Sequence, residues 1–251
     1  MSKNKYLMAA AGMAIQLSIG SVYAYSIWVE PIKNLLGWDI SLLKNAFILA
    51  ICFLGLSAAF LGRFVEKIGP KKAGILAALF YGLGLLGAGF AVHLESIFSF
   101  YLFFGIISGI GLGLGYITPV GTVLKWFPEK PGFASGLIIM SFAFGSIIAS
   151  QVITPLTQNV GVANTFYILG AVYFVSMFLS ALYLEAPKMN SDSKTAFDKN
   201  SSVKKIDIFQ QRTFYSLWLL LFLNTVCGIA IISKAAILGK EFAKLESSQV
   251  I

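Results

Sequence analysis

The chain has 251 residues, of which 57% are hydrophobic and 12% charged, with 19 basic against 11 acidic side chains and a formal net charge of +8. Soluble domains carry about 25% charged residues, so a mean hydropathy of +0.81 excludes an ordinary water-soluble core. Nor does the positive charge indicate a nucleic-acid partner, because the basic residues fill the gaps between apolar stretches.

A helix crossing the bilayer core needs roughly 20 mostly apolar residues, and seven stretches without Asp, Glu, Lys or Arg meet that need. The first, Tyr6–Val29, follows Lys3 and Lys5 as a leader peptide would, but its apolar run continues to Trp28, past leader length. Helical spacing puts Gln16, Gly20, Tyr23 and Ile27 on one face of it, with Ser18, Ser21 and Tyr25 on an adjacent strip. The second span, Asn45–Gly62, runs into a charged knot, "GRFVEKIGPKK" (Gly62–Lys72). The third, Ala73–Val92, contains "GLGLLG" (Gly82–Gly87), which fits G-x-G-x-x-G but follows no strand, so helix packing explains it better than a dinucleotide. His93 stands alone beyond it, with no Cys/His cluster to hold a metal.

The fourth span, Ser96–Leu124, carries Gly105, Gly109 and Gly113, with Gly111 and Gly115, as small-residue strips for close helix contact. Its Tyr116 precedes Pro119, whose ring removes an amide donor and is expected to disturb the Gly115 carbonyl. Phe142 lies in the fifth span, Phe133–Ile153, and the sixth is Ala163–Leu184. Glu185–Arg212 is polar and rich in Ser, Lys, Asp and Asn, a linker by composition. Thr213–Ser233 is the seventh span, and an external tail follows it. Cys52 and Cys227 fall inside spans, where buried packing is expected. The expected organisation is therefore a six-helix unit over 1–184, a linker over 185–212 and a seventh helix with its tail over 213–251, in an all-α membrane protein.

Charge asymmetry orients the chain. With the N-terminus in the cytoplasm, 14 of the 19 basic residues fall on the inner side and five outside, as the positive-inside rule expects. The knot then lies in an inner loop of a multi-pass cell-membrane protein. Read as G-x-x-x-[DE]-[RK]-x-G-x-[RK]-[RK], it supplies Gly62, Glu66, Lys67, Gly69, Lys71 and Lys72. This pattern resembles the loop signature of the major facilitator superfamily, with Glu66 and Lys67 where that family usually has Asp and Arg. In such a gate Gly62 admits a neighbouring helix, Gly69 allows a tight turn, and the charges latch one conformation.

Three further segments, "GSVYAYSIWVEPIKNLLG" (Gly20–Gly37), "LKWFPEKPGFASGL" (Leu124–Leu137) and "FYSLWLLLFLNTVCGIAIIS" (Phe214–Ser233), look like the oxalate/formate antiporter family. The resemblance implies two six-helix halves made of inverted three-helix repeats, of which this chain would hold the first half and the start of the second, a truncated carrier. It implies small carboxylate anions as substrates, the lipid bilayer as surroundings, no cofactor and no covalent chemistry. By the same resemblance Tyr23 and Tyr116 match aromatic cavity positions, and Phe142 stands where a tyrosine is found. Gln16 and Tyr25 complete the candidate substrate contacts. The substrate-pairing cations belong to the family's second half, so the C-terminal helices are needed for a complete site. The spans hold no acid to carry a proton, and Gly105 stands where many facilitators have arginine, which favours exchange over proton symport. Other readings are a monocarboxylate facilitator or symporter of the same superfamily, a seven-helix receptor, and a non-transporting membrane fragment. The receptor plan puts the N-terminus outside, against the lysine distribution.

Overall fold

The computed structural model describes residues 4–187 and 211–241, with side chains described as far as residue 228 in the second segment. Most of the expected linker and the tail beyond 241 lie outside the described residues. The chain divides into two compact units, Met1–Ala186 and Pro187–Ile251. In the second unit the described structure is one helix, α9 (Arg212–Glu241), with Trp218 and Phe222 stacked one turn apart.

The first unit is a bundle of antiparallel helices. Span one is α1 (Lys5–Gly20) continued by a 3-10 turn, Ser21–Ala24, and then α2 (Ser26–Leu36). Spans two and three are α3 (Ile40–Ile68) and α4 (Pro70–His93). Span four joins α5 (Ile97–Phe100), a π-helical stretch Tyr101–Ile107 and α6 (Ser108–Trp126). Spans five and six are α7 (Pro131–Val160) and α8 (Val162–Tyr183). These are six helices long and apolar enough to cross a membrane. At 29 and 30 residues, α3 and α7 are each about 44 Å long, well beyond a hydrocarbon core of about 30 Å. Their ends, including the charged knot, therefore reach past the apolar layer.

Local chemistry starts these helices where the sequence changes character. The Asn4 side chain accepts from Tyr6 N at 2.9 Å to cap α1, and Asp39 accepts from Ser41 N at 2.8 Å to cap α3. Pro70 and Pro131 occupy first-turn positions of α4 and α7, where no amide donor is needed.

The packing has an internal symmetry. Span one packs on span five and span four on span two; span one also packs on span six and span four on span three, while one meets four and three meets six directly. Exchanging one with four, two with five and three with six leaves this scheme unchanged, which is what two three-helix repeats of opposite direction require. The links obey it too. Gly69, between spans two and three, has φ 82° and ψ 160°; Gly161, between spans five and six, has φ 84° and ψ 166°. Each amide closes the preceding helix, Gly69 N on Val65 O and Gly161 N on Thr157 O, both at 3.0 Å. Each carbonyl opens the next, accepting from Ala73 N and Thr165 N at 3.1 Å. One-residue links of identical build thus sit at opposite ends of the bundle.

Small residues set the crossings. A methyl group on Gly20 would overlap the Phe142 carbonyl, and one on Gly145 the Leu17 carbonyl, so α1 and α7 touch through their backbones. The glycine strips expected in span four do the same work: Gly109 and Gly113 lie against Ala50, Leu54 and Ser57 of α3, and Gly111 against Tyr81 of α4. Gly82, Gly84 and Gly87 pack on Phe174, Ser108 and Phe103, which accounts for the G-x-G-x-x-G match.

The helix continues through Pro119, and the departures from α geometry lie at Ser21–Ala24 and Tyr101–Ile107, which the sequence reading did not pick out. One expectation needs correction. Cys52 and Cys227 are exposed, not buried. For Cys52 the reason is that α3 turns only Leu43, Ala46, Ala50 and Ser57 fully inward, and Cys52 falls off that stripe.

Candidate functional site

Three rings from three spans meet edge to face. Tyr23, on the 3-10 turn, lies 5.3 Å from Phe142 of α7, centroid to centroid, and Tyr116 of α6 lies 5.6 Å from the same ring. Phe142 is buried, whereas Tyr23 and Tyr116 are half-buried. A fourth ring, Phe47 of α3, stands 6.4 Å from Tyr23. The cluster therefore draws one ring from each of spans one, two, four and five. Sequence reading missed Phe47, because nothing in "NAFILAICF" distinguishes it from Phe53.

The hydroxyls separate structural tyrosines from available ones. Tyr25 donates to Leu43 O at 2.8 Å, Tyr101 to Leu42 O at 2.9 Å, and Tyr81 lies 2.7 Å from Ser21 Oγ. Among the described residues the Tyr23 and Tyr116 hydroxyls have no hydrogen-bond partner. Free O–H donors on these rings suit a small anion, whose oxygens the hydroxyls can bond.

Gln16 is fully buried beside this cluster. Its Nε2 donates to the Tyr116 carbonyl at 3.2 Å, tying α1 to α6, and its Oε1 has no partner among the described residues. Tyr25 also meets this cluster, stacked at 5.6 Å on Phe47 and tilted at 4.7 Å on Phe104, but it is buried and its hydroxyl is committed to the start of α3. The structure thus brings Tyr23, Tyr116 and Phe142 together, places Gln16 behind them and gives Tyr25 a packing position.

The knot is open to its surroundings. Glu66, Lys67, Lys71 and Lys72 are exposed, and no ion pair forms among them in the described structure. A methyl on Gly62 would have nothing within 4 Å, and Gly69 forms the one-residue turn described above. On the same face the Trp126 indole donates to the Glu185 carbonyl at 2.7 Å, and Lys5 Nζ lies 5.6 Å from the Phe127 ring.

A bundle of inverted three-helix repeats, uncharged through its spans and with an aromatic cluster where spans one, two, four and five meet, has the architecture of one six-helix half of a membrane-transporter fold. Residues 7–243 match the Major Facilitator Superfamily, and the chain belongs to that family of multi-pass membrane transporters. It is 24% identical over 246 residues to the uncharacterized MFS-type transporter YhjX of Escherichia coli, covering 97% of this chain and 60% of that protein. It is 24% identical over 237 residues to the oxalate:formate antiporter of Oxalobacter formigenes, covering 94% of this chain and 55% of the relative. Monocarboxylate transporter 14 of Mus musculus is 25% identical over 163 residues, 64% of this chain and 30% of the relative. The chain thus spans a little over half the length of the first two.

Proposed function

We propose that this chain forms the N-terminal wall of an alternating-access exchanger of small carboxylates, of the oxalate/formate type, in the cell membrane. The observation that carries the reading is the pair of free tyrosine hydroxyls, Tyr23 and Tyr116, whose rings both pack edge to face on Phe142. The similarity to an oxalate:formate antiporter supports the same class. The spans contribute hydrogen-bond donors but no charge, and a carboxylate leaving water needs charge compensation. The proposed cationic wall therefore comes from helices outside this chain. The knot at Gly62–Lys72 is proposed as the inner gate: with Gly62 open and Glu66 exposed, its latch partner also lies on that second wall.

The test is uptake of labelled oxalate into formate-loaded proteoliposomes. The chain alone is expected to show none, and co-reconstitution with the C-terminal part of the Oxalobacter formigenes antiporter to restore exchange. Robust uptake by the chain alone would defeat the incomplete-wall reading. Restored exchange of pyruvate or lactate but not oxalate would move the substrate class to the monocarboxylates, to which the mouse relative points.

A further inference from the structure

Ser21 sits where α1 tightens into the 3-10 turn, and its hydroxyl proton is committed to the Ser18 carbonyl at 2.7 Å. Two acceptor lone pairs remain on its oxygen. The Tyr81 hydroxyl of α4 lies 2.7 Å away and is therefore the donor. Tyr173 of α8 stacks beside Tyr81 with centroids 6.0 Å apart. The group lines a cavity of about 20 Å³ whose other walls include Leu85, Phe166 and Leu169. Tyr81 is 2% exposed and Ser21 7%. Hydroxyls are costly among such neighbours unless bonded, and a phenylalanine at position 81 would fill the space equally well.

The backbone shows what the hydroxyls do. In the tight segment Tyr25 N bonds Val22 O at 3.1 Å and Trp28 N bonds Tyr25 O at 2.9 Å, both three residues back, while the Ser21 side chain serves the Ser18 carbonyl. A 3-10 turn advances 120° per residue against 100° for an α-helix, so over the two steps from Ser21 to Tyr23 the side chain swings roughly 40° further. That rotation lets Ser21 face α4 and α8 while Tyr23, two residues on, reaches Phe142 on α7.

We propose that Ser21 and Tyr81 are positioning residues whose paired hydroxyls hold span one in the 3-10 turn that aims Tyr23 at the Phe142–Tyr116 cluster. The functional consequence rests on the reading of Tyr23 as a ligand contact; the positioning is measurable without it. With 3-fluorotyrosine incorporated at position 23 of the chain in nanodiscs, fluorine NMR reports the surroundings of that ring directly. Ser21→Ala and Tyr81→Phe should each shift or broaden the signal, and the double variant should do no more than either single. Tyr101→Phe, which removes a tyrosine–carbonyl bond to the start of α3 and none to Ser21, should leave it in place. In the exchanging system of chain plus complementing helices, the same two variants should raise KM about three- to tenfold, the equivalent of one neutral hydrogen bond, with turnover little changed. A signal unmoved in both single variants, or a double variant with summed independent effects, overturns the proposal. A moved signal with unchanged KM upholds the positioning and removes the ligand role of Tyr23.

Discussion

At the scale of single residues, the distinction that matters is between tyrosines whose hydroxyls are spent on the fold and those whose hydroxyls are free. Tyr25 spends its hydroxyl on Leu43 O at the head of α3, so Tyr25→Phe should lower thermal stability, by about 1 kcal/mol, and leave substrate affinity alone. Tyr23→Phe and Tyr116→Phe should do the reverse. Each would weaken carboxylate binding by about tenfold, as loss of a hydrogen bond to a charged group does at roughly 1.5 kcal/mol, while melting stays within error. Calorimetry and exchange kinetics on the same preparations separate the two patterns; equal effects in all three variants would erase the distinction. Outside the spans, Asp39 is held below the usual carboxylate range by its bonds to the Ser41 amide and hydroxyl, with Lys33 adding to the effect. A depressed folded pKa gives stability that is complete above the unfolded value of about 4 and is lost as pH falls through the folded one. Asp39→Ala should therefore flatten the acid limb of a melting-versus-pH profile and leave its shape above pH 6 unchanged, about two units clear of that titration. Residue type and the family resemblance together picked out Tyr23 and Tyr116 as expected cavity positions. They could not separate Tyr25 from Tyr23, because which hydroxyl meets a carbonyl depends on a neighbouring helix end.

At the scale of elements, the spans were legible because lipid allows no other backbone than one bonded to itself, and long uncharged runs have few alternative readings. What escaped was irregular backbone. Pro119 drew attention through its missing amide donor, and the helix continues through it, whereas the backbone departs from α geometry at Ser21–Ala24 and Tyr101–Ile107, stretches without proline. For Ser21–Ala24 the proposed cause is a tertiary contact, Tyr81 on Ser21, which no local pattern encodes. The two glycine links teach the opposite lesson. Gly69 was legible from its charged surroundings, whereas Gly161 in "QNVGVAN" carries no comparable signal, though it adopts the same dihedrals. Those dihedrals are essentially confined to glycine. Gly69→Ala and Gly161→Ala should each cost about 1–3 kcal/mol of stability by thermal unfolding in detergent. Gly132→Ala, in the first turn of α7 with open space around it, should cost nothing. A neutral Gly161→Ala would show that the two links are alike in shape only. For the proposed gate, Gly62→Leu and Glu66→Lys should slow exchange far more than they weaken binding, because they act on the equilibrium between conformations and not on the ring cluster. Unchanged turnover in both would reduce the knot to a topological marker.

At the scale of the whole molecule, the repeat symmetry and the charge distribution bear on the same question, which way the chain faces. Inverted repeats make the two ends of the bundle nearly equivalent in packing, with Gly69 at one end and Gly161 at the other, so packing alone cannot choose an orientation. Charge can: the Gly69 end carries Arg63, Lys67, Lys71, Lys72, Lys125 and Lys130, while the links at the opposite end carry Lys33 and Lys44. Cytoplasmic leaflets and the insertion machinery retain basic loops inside, so the Gly69 end is proposed to be cytoplasmic. Single cysteines test this once Cys52 and Cys227, both exposed, are replaced by serine. Lys71→Cys should be protected from a membrane-impermeant maleimide in intact cells and become reactive after permeabilisation. Asn159→Cys, exposed in the last turn of α7 beside the second glycine link, should react from outside, and it avoids the strained position 161 itself. Labelling of Lys71→Cys in intact cells with protection of Asn159→Cys would invert the topology and place the charged knot outside, so that it could no longer be an inner gate. Labelling of both from outside would mean that the chain inserts in two orientations, an outcome the near-equivalence of its two ends makes physically accessible and only the lysines oppose.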